Sequence, residues 1–231
     1  KEALYNKGIS LMSLNKPKEA LDSFQGALKT DPNYVGALLG KAGSLALINE
    51  KEEAINTYNK VIELSPNFYL PYLNKGITLY EMGKLSEAIE SLDKAIALKA
   101  DSYLAYLTKG NALRDLENKQ EAIGCYMEAI NINSKCAEAY FNMGLCHAGF
   151  HRTENAISCF DAALKINNKL VEAYDAKGHV YFQAGQFENA LSNYDKAIAV
   201  NPDNFEYFYK KGLCQRELEK FEDAVKSFKM S

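Results

Sequence analysis

"LNKGITLYEMGKLSEAIESLDKAI", residues 73–96, reads as two helical stretches that meet at Gly83 and Lys84. Gly76 lies inside the first stretch, where a glycine costs about 1 kcal/mol relative to alanine. Such a cost implies a close approach of backbones that any side chain would block. The expected partner is Ala88, twelve residues on, with Tyr72 and Leu92 packing over the gap.

Working outward in steps of 34, the same position holds Gly8, Ala42, Gly76, Gly110, Gly144, Gly178 and Gly212. Twelve residues after each comes an alanine: Ala20, Ala54, Ala88, Ala122, Ala156, Ala190 and Ala224. Four further on comes a large residue: Phe24, Tyr58, Leu92, Tyr126, Phe160, Tyr194 and Phe228. No insertion or deletion breaks the register, so the chain is a tandem repeat. The units are 1–34, 35–68, 69–102, 103–136, 137–170, 171–204 and an incomplete 205–231. Each predicts two helices. In the third unit these run over 69–82 and 85–98, with Pro71 in a first turn, where it is tolerated. Ala88, Ile89, Leu92, Ala95 and Ile96 fall on one face of the second helix. "DPN", "SPN" and "NPDN" mark turns after other second helices, at 31–33, 65–67 and 201–204.

The pattern resembles the tetratricopeptide repeat family over all 231 residues. The match lies in the Gly, Ala and aromatic positions. The Leu that the family places before its Gly is here Lys7, Lys41, Lys75, Lys109, Lys177 or Lys211, with Met143 in the fifth unit. A lysine stem can lie on apolar surface while its ammonium reaches water. The closing Pro is replaced by Ala100, Ser134 and Asn168, which is expected to loosen those turns. The resemblance implies an all-α fold, a right-handed superhelical solenoid of helix-turn-helix repeats forming one domain over 1–231. It also implies that first helices line the concave side and second helices face outward. No polar helix caps the last unit, and such caps are normally needed for solubility. The sequence is therefore expected to be a segment of a longer protein.

Composition narrows the function. The net charge of −3 supplies no basic excess for nucleic acid. No apolar run approaches the ~20 residues of a membrane span. Five cysteines make an odd count and suggest a reducing compartment, so the expected location is intracellular and cytoplasmic. "GLCHAGFH" brings Cys146, His147 and His151 close in sequence, but His147 and Cys146 fall at packing positions of the repeat. No metal and no cofactor is expected. No Ser–His–Asp set, phosphate-binding loop or carboxylate pair is present, and the chain is not expected to be an enzyme.

The resemblance directs the search for function to the first helices, at repeat positions 2, 5, 6, 9, 12 and 13, with each Gly at position 8. Family members that hold chaperone C-termini use a two-carboxylate clamp beginning with Lys at position 5. Here position 5 holds Tyr5, Leu39, Leu73, Leu107, Phe141, Asp175 and Tyr209. Asn111 and Asn142 match part of the clamp, but Glu172 and Ala176 stand where its bases should be. An asparagine ladder at position 6, which in some members bonds an extended peptide, is half present as Asn6, Asn74 and Asn142. The more unusual feature is apolar. Leu70, Leu73, Ile77 and Tyr80 share one inward face, and Tyr5, Ile9, Leu104, Leu107, Phe141 and Leu145 extend it. Outward positions such as Asp22, Asn56, Glu63, Glu90 and Asp93 are polar, so exposed apolar surface should concentrate on the concave side.

These residues, with Asn111 and Arg114, form the candidate surface for a protein or peptide partner. The chain is read as a non-catalytic scaffold that binds a partner's segment in its concave groove. Two alternatives remain open: an architectural component that self-associates, and a regulatory module of an enzyme elsewhere in a longer chain. A further alternative is that the superhelix closes on these side chains as core.

Overall fold

A computed structural model describes residues 1–231. It contains fourteen helices in chain order: α1 Glu2–Ser13, α2 Pro17–Thr30, α3 Val35–Leu47, α4 Lys51–Leu64, α5 Tyr69–Glu81, α6 Leu85–Leu98, α7 Tyr103–Asp115, α8 Lys119–Ile132, α9 Ala137–Gly149, α10 Thr153–Ile166, α11 Val171–Gln183, α12 Phe187–Val200, α13 Phe205–Glu217 and α14 Phe221–Lys229. They divide into two compact units, Lys1–Glu117 and Asn118–Ser231. In the first unit the pairs α1/α2, α3/α4 and α5/α6 pack antiparallel, and α7 lies against α5 and α6. In the second, α8 packs on α9, and the pairs α9/α10, α11/α12 and α13/α14 follow.

One turn recurs at the end of every first helix. Its hinge is residue 15 of the repeat, in the left-handed region: Asn15, Asn49, Gly83, Glu117, His151, Gly185 and Glu219, with φ between 55° and 74°. At Gly83 the bonds are those of a Schellman end. The Gly83 N–H donates to the Tyr80 carbonyl and the Lys84 N–H to the Leu79 carbonyl, both at 2.9 Å. Turns after the second helices survive loss of proline better than the sequence suggests. Asn133 accepts from the Lys135 N–H and Asn167 from the Lys169 N–H, both at 3.1 Å, as Asp31 does from Asn33 at 3.2 Å. These side chains mimic the backbone turn that proline would have preset. At Ala100 the neighbouring Lys99 ammonium instead sits 4.6 Å over the Tyr69 ring.

The core explains Gly76, with one correction. A Cβ there would stand 2.6 Å from Leu92 Cγ but 3.3 Å from the Ala88 carbonyl oxygen. The glycine makes room for the large residue at position 24, and the contact with Ala88 is secondary. Gly8 relates to Phe24, Gly144 to Phe160, Gly178 to Tyr194 and Gly212 to Phe228 in the same way, at 2.5–2.7 Å. Phe24, Tyr58, Leu92, Phe160 and Tyr194 are fully or almost fully buried. On α6 the buried set is Ala88, Ser91, Leu92 and Ala95, while Ile89 and Ile96 are only half-buried.

The lysines before the glycines do more than reach water. Lys75 donates to Asn59 at 2.8 Å, Lys109 pairs with Asp93 at 2.6 Å and Lys211 with Asp195 at 2.7 Å, and Lys177 pairs with Asp161. Each partner lies sixteen residues back, on the preceding second helix. The sequence carries the same link in reverse: where position 7 becomes Met143, the residue sixteen back is Met127.

Candidate partner-binding surface

In the first unit the candidate residues separate into core and surface. Leu73 and Leu107 keep only 6% and 5% of their surface exposed. Leu73 packs with Leu92, Ala95 and Ala105, so these two leucines are interhelical core and not an open floor. Leu70 and Ile77 are half-buried against the same cluster. Tyr5 is half-buried, its ring 5.2 Å from that of Tyr34, and it covers Gly36. What stays open is Ile9, 43% exposed, and Leu104, 38% exposed, with Asn6 exposed and Asn74 half-buried. Asn111 is buried and engaged by other protein groups.

Charges on this face are paired, Glu2 excepted. Arg114 donates to Asp115 at 2.9 Å, and the Tyr80 hydroxyl donates to the other oxygen of Asp115 at 2.9 Å. Glu81 pairs with Lys51 at 3.2 Å. Sequence reasoning missed Leu47, the most exposed apolar member of the face at 64%. The signal was present: position 13 holds Ser13, Glu81, Asp115, Gly149, Gln183 and Glu217 in the other repeats, and only here an apolar side chain.

The corresponding face of the second unit is different. Phe141 is half-buried with its ring 5.8 Å from that of Phe160, Leu145 packs against the cluster of Ala156, Phe160 and Val180, and Asn142 is buried and engaged. Position 2 carries Glu138, Glu172 and Glu206, all exposed. Lys210 contacts Asp175 at 2.7 Å and Glu206 at 2.9 Å. Burial alone would push the Lys210 ammonium down, but the two carboxylates outweigh it and hold the group above its ordinary value.

Exposed apolar surface is not confined to the first helices. At position 30, Leu64 and Leu98 in the first unit and Ile132, Ile166 and Val200 in the second keep 37–40% exposure each. This uniform row recurs from repeat to repeat and so marks a general feature of the repeat.

Nothing here gathers reactive chemistry. Cys146 is fully buried, His147 is half-buried, and His151 lies outside α9 in the left-handed turn. No three His, Cys, Asp or Glu side chains are grouped to hold a metal ion. Burial pushes the Cys159 thiol up to about 11 and the Cys214 thiol up to about 12, so both stay protonated. Burial, with Arg152 adding to it, holds His147 below the usual imidazole value.

A TPR repeat model matches residues 45–83, 110–149 and 178–218, and tetratricopeptide repeat models match 1–34, 71–102 and 137–170. The chain belongs to the tetratricopeptide repeat family. Its fourteen helices correspond to about seven such repeats. Tetratricopeptide repeat domains are typically protein-binding modules and are generally non-catalytic. No helix is long and apolar enough to cross a membrane. Comparison with curated protein sequences finds no match. Among solved structures, the chain is similar to YrrB, described as a TPR protein with an unusual peptide-binding site. They share 26% identity and a TM-score of 0.69 over 81% of this chain and 97% of that one. It is also similar to MamA, with 28% identity and a TM-score of 0.67 over 70% of this chain and 94% of that one. Similarity to the APC/C hetero-tetramer Cut9-Hcn1, at 23% identity and a TM-score of 0.74, covers 91% of this chain but 42% of that one, and concerns the fold alone.

Proposed function

We propose that this tetratricopeptide repeat chain is a non-catalytic scaffold. It binds a segment of a partner protein on the first-helix face of α1, α3, α5 and α7. One observation carries the reading: Ile9, Leu47 and Leu104 stay uncovered on a face whose Leu73 and Leu107 are already core. Leu47 departs from a polar or glycine position of the repeat, which the uniform row at position 30 does not. Burying the part of such a side chain that is still exposed stabilises a complex by ~0.6–2 kcal/mol. Similarity to YrrB, a peptide-binding protein by its description, supports the same reading. The buried free thiols Cys136, Cys146, Cys159 and Cys214 suit a reducing cytoplasm. The test is capture of a partner by the immobilised chain and by Ile9→Glu. The wild type should retain a protein that Ile9→Glu loses at unchanged melting temperature. Identical capture by both would count against this face.

Light scattering over a concentration series tests the alternative of self-association: a mass that rises with concentration would favour it, and a constant monomer mass removes it.

A further inference from the structure

We infer that the second unit carries a docking site of its own, distinct from the first-helix face, for an acidic segment of a partner protein with an apolar anchor. It goes beyond the function proposed above and does not depend on it.

The site is a hollow of about 610 Å³ between the loop after α8 and the end of α10, lined by Ser134, Lys135, Tyr140, Ala162, Lys165 and Ile166. One repeat position opens it. Where the first two repeats meet, Lys60 reaches back across the corresponding gap and donates to the Pro32 carbonyl at 2.9 Å. That position, 26, holds Lys94, Glu128 and Lys196 in the third, fourth and sixth repeats. The fifth has Ala162, whose methyl group is too short to cross. An apolar floor is left open: the half-buried Tyr140 and Ala162, beside Ile166, which is 39% exposed. Ile166 belongs to the general row at position 30, so its exposure by itself marks nothing. Its surroundings are particular to this junction.

The charge is particular as well. Position 33 is Asn33, Asn67, Asp101 and Asp203 in four repeats, but Lys135 and Lys169 in the fourth and fifth. Position 29 adds Lys165. The Lys135 and Lys165 side chains are exposed and pair with no carboxylate. No acid lines the hollow: Asp161, next to Ala162, is held by Lys177, and Glu138, three residues beyond Lys135, stands outside it. Like charges at one site repel, and carboxylates of a ligand would relieve that repulsion. An apolar floor under two free ammonium groups therefore complements an acidic chain bearing an apolar side chain. A nucleic acid would satisfy the lysines and leave the floor unused, on a chain whose net charge is −3.

The probe is a displayed library of random peptides of about twelve residues, selected on the intact chain; each residue of an extended chain spans ~3.3–3.6 Å. The expected winners carry Asp or Glu around a Leu or Phe. Their affinity should fall by about fivefold or more between about 50 and 500 mM salt. Replacing both lysines, by Lys135→Asn with Lys165→Ala, should weaken binding by about fivefold. Ala162→Glu brings in the residue of the fourth repeat, fills the gap and answers the lysines from within the chain, so it should abolish binding. If that variant melts early, the lysine pair carries the test. Leu104→Glu, on the first-helix face, should leave these peptides unaffected. Neutral or basic winners, or no winner, would overturn the inference. Acidic winners lost with Leu104→Glu but kept by the lysine variant would overturn it and support the first-helix face instead. A thymidine oligonucleotide that binds more tightly than the winners, and is lost with the lysine pair, would overturn the peptide as occupant.

Discussion

Substituting alanine for glycine in a helix should act with opposite sign at two sites of this chain. Inside a helix the change is worth about 1 kcal/mol in favour of alanine. At Gly124, in α8, no atom lies within 4 Å of the new Cβ, so that gain should appear in full. At Gly76 the Cβ would enter to 2.6 Å of Leu92 Cγ. Leu92 has no exposed surface and is packed against Leu73, Ala95 and Ala105, so it cannot swing aside without displacing them. Overpacking of this kind costs ~1–3 kcal/mol, which exceeds the propensity gain. Gly124→Ala should therefore stabilise by about 1 kcal/mol, and Gly76→Ala should destabilise by up to about 2 kcal/mol. Urea unfolding followed by circular dichroism reads both as shifts of the midpoint, at unchanged slope. If Gly76→Ala shifts the midpoint upward, the packing account of the repeated glycine is wrong.

Other outcomes follow from the same structure. Glu117→Gly and Glu219→Gly replace non-glycine residues at φ 64° and 59°, and each should raise stability by ~1 kcal/mol in thermal melts. His147 is held below its ordinary value by burial, so the unfolded chain takes up the proton first. Its contribution is present above a pH of about 6.5 and is lost as pH falls below it, and His147→Leu should flatten the urea midpoint between about pH 7 and 5. Acidic peptides with a free C-terminal carboxylate should bind no better than amidated ones in calorimetric titration, since position 5 never supplies a lysine.

The fold was legible because its evidence is periodic. Gly76, Ala88 and Leu92 recur at fixed spacing, and helix boundaries in the third repeat agree with the sequence to within a residue. The partner of Gly76 was less legible, because a sequence names neighbours by spacing and not by which atom fills a gap. The candidate surface was harder still. Leu73, Leu104 and Leu107 look alike in sequence, yet two are core and one is open. That difference depends on how adjacent helices lean together. Leu47 could have been found by comparing position 13 across repeats, as could the Lys–Asp links, since both are departures or pairings within a single register.

Leu104 and Leu98 offer the most direct test of the docking face. They are almost equally exposed, at 38% and 40%, but Leu104 lies on a first helix and Leu98 on the uniform row that ends the second helices. The measurement is the affinity of one bound partner segment for Leu104→Glu and Leu98→Glu, both checked for unchanged melting. Loss of the leucine contact and desolvation of the new carboxylate should together weaken binding to Leu104→Glu by about tenfold or more, with Leu98→Glu indistinguishable from wild type. Equal losses in the two variants, or a larger loss in Leu98→Glu, would contradict the account.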